Sequence, residues 1–87
     1  MTFATEDDVA ASMATTTGAM SAPEWSDFFS MPLPQKQACA QLYKGAIFDA
    51  GGPSAWDAAL GILGTAATIF GEASGIAGAY QVFRALV

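Results

Sequence analysis

The sequence predicts an all-α protein. Short N-terminal helices precede one long C-terminal glycine-heptad helix, the whole extended rather than globular and packed in a multi-chain assembly. Three observations lead there. Helix-start patterns of the form S/T-x-x-D/E recur at Thr5–Asp8, Ser21–Glu24 and Ser54–Asp57. No stretch carries a convincing strand signal. Residues 61–87 fall into sevens, GILGTAA, TIFGEAS, GIAGAYQ and VFRALV.

Residues 1–20 read as an acidic arm, partly ordered. Thr5 is placed as N-cap, with Glu6, Asp7 and Asp8 in the first turn, where carboxylates complement the helix dipole. Val9 and Met13 share a face, and Thr15-Thr16-Thr17-Gly18 ends the helix. A helix this short is marginal alone, so a mobile tail is the alternative.

Residues 21–53 form the second section. Ser21-Ala22-Pro23-Glu24 is a capping box with proline in the first turn, where its missing N–H matters little. Trp25, Phe28 and Phe29 follow at i, i+3 and i+4 and make one aromatic face. That face is either a core cluster or a docking anchor into a partner's pocket, a role in which Trp is enriched. Met31-Pro32-Leu33-Pro34 reads as an extended linker, because residues before proline avoid the α region. Residues 35–50 give an amphipathic helix with Cys39, Leu42, Tyr43, Ala46, Ile47 and Ala50 on its apolar face. Gly51-Gly52-Pro53 stops it and turns the chain.

Residues 54–87 are read as one helix, capped by Ser54 and about 50 Å long at 1.5 Å per residue. Gly61, Gly64, Thr68, Gly71, Gly75 and Gly78 recur at alternating spacings of three and four, which places them on one seam. A ridge of Ile62, Ile69, Ile76, Tyr80 and Phe83 lies about 100° away. Glycine disfavours a helix by about 1 kcal/mol per residue, so a bare seam needs a compensating contact. A neighbouring backbone pressed into the seam supplies dispersion and Cα–H···O contacts. A helix that is apolar all round also has to be covered by something. A core helix and a single membrane span are the competing readings.

Composition points the same way. The chain has 87 residues, 53% of them hydrophobic and only 13% charged, against a usual charged share of about 25%. A chain this short buries a limited core, and one this poor in charge favours burial against other chains or lipid. Net charge is −5, with Lys36, Lys44 and Arg84 the basic residues, which excludes direct binding to nucleic-acid phosphates. One cysteine and no histidine leave no internal disulfide and no Cys-His catalytic pair. The glycine-rich run lacks the lysine of a phosphate-binding loop. No catalytic, cofactor-binding or metal-ligating residue is therefore assigned, and no cofactor is expected. The acidic start MTFATEDD is not that of a signal or transit peptide. Glu72 is the single charge between Asp57 and Arg84. With Thr65 and Gln81 it would form a polar stripe facing water or a lumen.

The acidic N-terminal part before an apolar, small-residue helix over 54–87 resembles the small Ala/Gly-rich minor virion proteins of bacteriophages. It is also similar to filamentous-phage coat subunits. Those coats end in several basic residues that face DNA, whereas Arg84 stands alone near this C-terminus, so the resemblance does not imply DNA packaging. It does imply a non-enzymatic structural subunit that packs through its glycine seam against itself or a larger structural protein, in a virion. The alternative is a small single-span membrane protein acting as accessory subunit of a membrane complex. Its longest uncharged run, 58–71, is shorter than the roughly 20 residues a span requires.

Overall fold

The computed structural model describes residues 2–86. They form four helices, α1 (Glu6–Thr17), α2 (Ala22–Ser30), α3 (Leu33–Phe70) and α4 (Gly75–Arg84), and no strand is present among them.

The start signals of α1 and α2 operate as the residue types require. The Thr5 side chain accepts from the Asp8 N–H, and the Asp8 carboxylate accepts from the N–H groups of Ala4 and Thr5. Ser21 and Glu24 make the same reciprocal box. Gly18 ends α1 in the left-handed region at φ 65°, a conformation that only glycine adopts readily. The acidic arm is thus an ordered helix, held by Val9, Ala10 and Met13, all buried.

Helix α3 starts at Leu33, two residues before the expected position, with Pro34 inside its first turn. A proline there removes an N–H that has no intrahelical partner in any case. A straight helix of 38 residues would run about 57 Å, but the longest dimension of the molecule is 29 Å. The difference is absorbed at Gly52, whose φ of 70° and ψ of −162° are not helical. Pro53 follows it. A first limb (33–51) and a second limb (53–70) therefore meet at a bend, beside which Lys44 Nζ lies 5.1 Å from the Trp56 ring.

The expected single helix over 54–87 is corrected. It is two helices, because the second limb ends at Phe70 and the chain reverses through residues 71–74. Gly71 takes φ 90° and ψ 162°. Ser74 caps α4, its hydroxyl donating to the Gly71 carbonyl and accepting from the Ala77 N–H. Gly64 meets Tyr80, and each lies about two turns from the reversal, so α4 runs antiparallel to the second limb. The extended architecture is corrected with it: two glycine bends fold the helices into a body of 29 × 28 × 21 Å.

The aromatic face of helix α2 lies in the core of this body. Trp25, Phe28 and Phe29 are buried, as are Phe83 of α4 and Ile47, Ala59, Leu63 and Ala66 of α3. Phe28 stacks on Tyr43 at 4.4 Å and on Phe83 at 5.3 Å, and Phe83 reaches Trp56 at 4.9 Å. Such pairs add directional attraction to the burial of large apolar surfaces.

Candidate functional site

The residues singled out on the heptad repeat are distributed by the reversal. Gly61, Gly64 and Thr68 lie on the second limb, Gly71 forms the turn, and Gly75 and Gly78 lie on α4. They do not make one strip. Some of them still serve close approach, but within the chain. A Cβ at Gly75 would collide with the carbonyl oxygen of Phe29, and one at Gly78 would lie 3.0 Å from Lys36 Nζ. At Gly64 the neighbour is the Tyr80 ring, 3.2 Å from a hypothetical Cβ. Gly61 alone among the helical seam glycines faces open space. Thr68 donates its hydroxyl to the Gly64 carbonyl one turn earlier.

The ridge is divided in the same way. Ile62, Ile76 and Phe83 are core residues, Tyr80 is half-buried, and Ile69 is 45% exposed. The proposed docking anchor is also corrected. Trp25, Phe28 and Phe29 are enclosed by their own chain, with Trp25 and Phe28 at zero exposure, so they offer nothing to a partner. This bears out the core alternative, since an i, i+3, i+4 aromatic face is the natural centre of a small bundle.

Charge is arranged unevenly. The eight acidic residues are all exposed, whereas each cation lies against groups of its own chain, with Lys36 buried, Lys44 half-buried and Arg84 exposed. Lys36 is buried, threads its stem between α2 and α4, and donates from Nζ to the Gly75 carbonyl at 2.9 Å. Burial lowers its pKa, opposed by the charge of Glu6. Lys44 lies over the Phe48 and Trp56 rings, and the Arg84 guanidinium lies 5.4 Å from the Tyr80 centroid. Tyr43 donates its hydroxyl to the Glu24 carbonyl, and its pKa is raised by burial and then by the Glu24 charge. Glu24 is held below its ordinary value by the Ser21 hydroxyl and the Ser21 backbone.

A cleft of about 450 Å³ lies between the second limb and α4, lined by Gly64, Thr68, Glu72, Tyr80 and Arg84 among others. Glu72 is exposed at its rim, so the polar position expected of it holds while the continuous stripe does not. Among the described residues no three His, Cys, Asp or Glu side chains converge as metal ligands. Cys39 is a half-buried free thiol. The indole N–H of Trp25 is buried without a hydrogen-bond partner.

Of the apolar face expected on the first limb, Ile47 is buried and Cys39, Tyr43 and Ala46 are half-buried, while Leu42 and Ala50 are exposed, so the face is shifted at one edge. Lys36, Ala40 and Ile47 are buried and Tyr43 is half-buried, so the stripe is 36, 40, 43, 47. Leu42, assigned to the apolar face, is 71% exposed. Lys36 misleads here, because its methylene stem packs like an apolar residue while its amine finds a carbonyl. Leu33, Phe48 and Ile69 are the other large apolar side chains left open.

Comparisons with protein-family models, with curated proteins and with solved structures found no match to this chain. Among the described residues no helix is long and apolar enough to cross a membrane. The single-span alternative therefore lacks the helix it required.

Proposed function

We propose that this chain is a non-enzymatic structural subunit that assembles with copies of itself or with a larger structural protein, within a virus particle. One observation carries the reading. The chain completes an internal core and still leaves Leu33 and Leu42 more than half exposed, on a surface poor in charge. A solitary exposed leucine is ordinary. Leu42, however, stands on an outer helix face beside Ala38 and Gly45, which are also exposed and which let a neighbouring helix approach. The glycine seam contributes to assembly only through Gly61 on the second limb and Gly71 at the turn, the seam glycines that the fold leaves open. The acidic exterior, and cations that lie against their own chain, favour a protein partner over nucleic acid. The virion setting rests on the resemblance in composition.

The test is molar mass in solution and incorporation into particles, comparing the wild type with Leu42→Lys. The wild type should form a defined oligomer or particle component. The variant should weaken association at least tenfold while its thermal midpoint stays unchanged. Equal association by the two proteins removes the Leu42 face from the proposal, and a wild type that is monomeric and excluded from particles removes the proposal itself.

A further inference from the structure

We infer that α4 is an exchangeable element, and that two copies of this chain can trade it by straightening the 71–74 turn into helix. The partner is a second copy of the same chain. The sequence pattern crosses the turn without interruption: Ile62, Ile69, Ile76 and Phe83 keep their seven-residue spacing, as do Gly64, Gly71 and Gly78. A turn selected only to reverse the chain has no reason to preserve that register. The turn itself, apart from the packing of α4 on the second limb, is held by few bonds, one of them from the Ser74 N–H to the Gly71 carbonyl at 3.1 Å. Gly71 supplies the positive φ, and the Ser74 hydroxyl bridges the Gly71 carbonyl and the Ala77 N–H. Glu72 and Ala73, the residues between them, are exposed and are good helix formers.

Straightening joins the second limb to α4. It removes one helix C-terminus and one N-terminus, with the unsatisfied backbone groups that each carries. The merged helix, residues 53–84, would be about 48 Å long, longer than the 29 Å maximum dimension of the folded chain. Its end therefore has to leave its own core. It can regain every lost contact in a copy that has done the same. Phe83 would lie against Phe28 and Trp56 of the other chain, Tyr80 against its Gly64, and Gly75 beneath its Phe29 carbonyl and Lys36 amine. A hinge too short to relax strain is the usual setting for such exchange.

The exchange also provides for Ile69 and Gly71. Both are exposed when the turn is closed. In the exchanged dimer the two merged helices pass one another at the former turn, where an isoleucine beside a bare glycine position suits helix-on-helix packing. None of Leu33, Leu42 or Phe48 takes part, so this inference and the surface association proposed above stand or fall separately.

The experiment uses Gly71→Ala/Ser74→Ala, which removes the residue suited to positive φ and the side-chain cap of the reversal, leaving the Ser74 N–H to Gly71 carbonyl bond, and favours helix through it. The protein is unfolded, refolded at high concentration and examined by light scattering and circular dichroism. The expected result is a dimer that dissociates at least tenfold more slowly than any wild-type dimer, with helix content raised by the four residues 71–74. Adding Leu42→Lys should leave this dimer intact, and a four-residue Gly/Ser insertion between Glu72 and Ala73 should return it to monomer. A folded monomer overturns the inference. So does a chain that folds only once the insertion is present, or a dimer that Leu42→Lys dissolves.

Discussion

Replacing the seam glycines by alanine, one at a time, separates a seam used between chains from glycines used within one. Four positions that look alike in the sequence have different surroundings in the fold. At Gly61 the added methyl meets nothing within 4 Å, so alanine should give its helix-propensity gain of about 1 kcal/mol. At Gly75 the methyl collides with the Phe29 backbone carbonyl. Backbone cannot swing aside as a side chain does, so α4 has to lift from α2 at a cost of about 3 kcal/mol, the upper part of the range for overpacking. At Gly64 the obstacle is the half-buried Tyr80 ring at 3.2 Å, and at Gly78 it is the end of the flexible Lys36 chain at 3.0 Å. There the propensity gain offsets a small displacement, and the net change should stay within about 1 kcal/mol. The assay is urea denaturation at micromolar concentration, followed by helix ellipticity and tryptophan emission. With an m-value of about 1 kcal/mol/M for a small domain, Gly61→Ala and Gly75→Ala should differ in midpoint by about 4 M, with Gly61→Ala the more resistant. Similar losses at Gly61 and Gly75 would refute the intramolecular assignment and restore a continuous seam.

Phe83→Ala should cost about 3–5 kcal/mol, because its ring joins Trp25, Phe28 and Trp56; a thermal melt shifted by only a few degrees would remove Phe83 from the centre of the core. Lys36→Met should flatten the alkaline part of the stability–pH curve. The fold lowers the Lys36 pKa below its ordinary 10.5, so the unfolded chain binds more protons in that interval and stability from this group rises with pH there. The raised Tyr43 pKa acts with opposite sign above its ordinary 10.0, so denaturation series ending near neutral-to-mildly alkaline pH and at about pH 10 isolate the lysine; an unchanged slope in the variant would contradict its burial. Ser21→Ala should lower the melting temperature and let the Glu24 carboxyl titrate at higher pH, read by carboxylate NMR, since the Ser21 hydroxyl is the largest cause of its lowered value; an unmoved titration would dissociate Glu24 from the cap.

The helix starts were the most legible part of the fold. Thr5 and Ser21 each sit three residues ahead of an acid, and both boxes form, because the signal needs only local geometry; the third pattern, Ser54–Asp57, makes no such box, since Gly52 and Pro53 already open the second limb ahead of it. Gly51-Gly52-Pro53 announced its bend for the same reason. The aromatic face of α2 was legible as a face, but its destination was not. Whether Trp25 meets its own chain or another is decided by where α4 returns, and that depends on the turn. The cap at Ser74 lacks the acid three residues on that marked the other starts, so only the serine itself could have signalled it. Apolar residues alone place Leu42 inward on the first limb, yet it is 71% exposed. The residue that fixes the buried face is Lys36, whose polar name hides an apolar stem.

The heptad deserved its weight as a description of faces and misled as a measure of length. Within each helix a seven-residue repeat states which positions look inward, equally well for a long helix or for two that meet antiparallel; only its unbroken phase across residues 71–74 is particular to the straight form. In a hairpin both helices turn the repeating face toward each other, so Ile62 on one side of the reversal and Ile76 and Phe83 on the other remain buried without any change in pattern. What distinguishes the two outcomes is the turn itself. Gly71 occupies a seam position in the repeat and also permits the φ of 90° at which the chain reverses. Ile69 records the conflict: the repeat would place it on the ridge, and the reversal leaves it at a helix end, nearly half exposed. The closed hairpin has no use for an unbroken phase across residues 71–74, and that unused phase is the ground of the exchange inferred above.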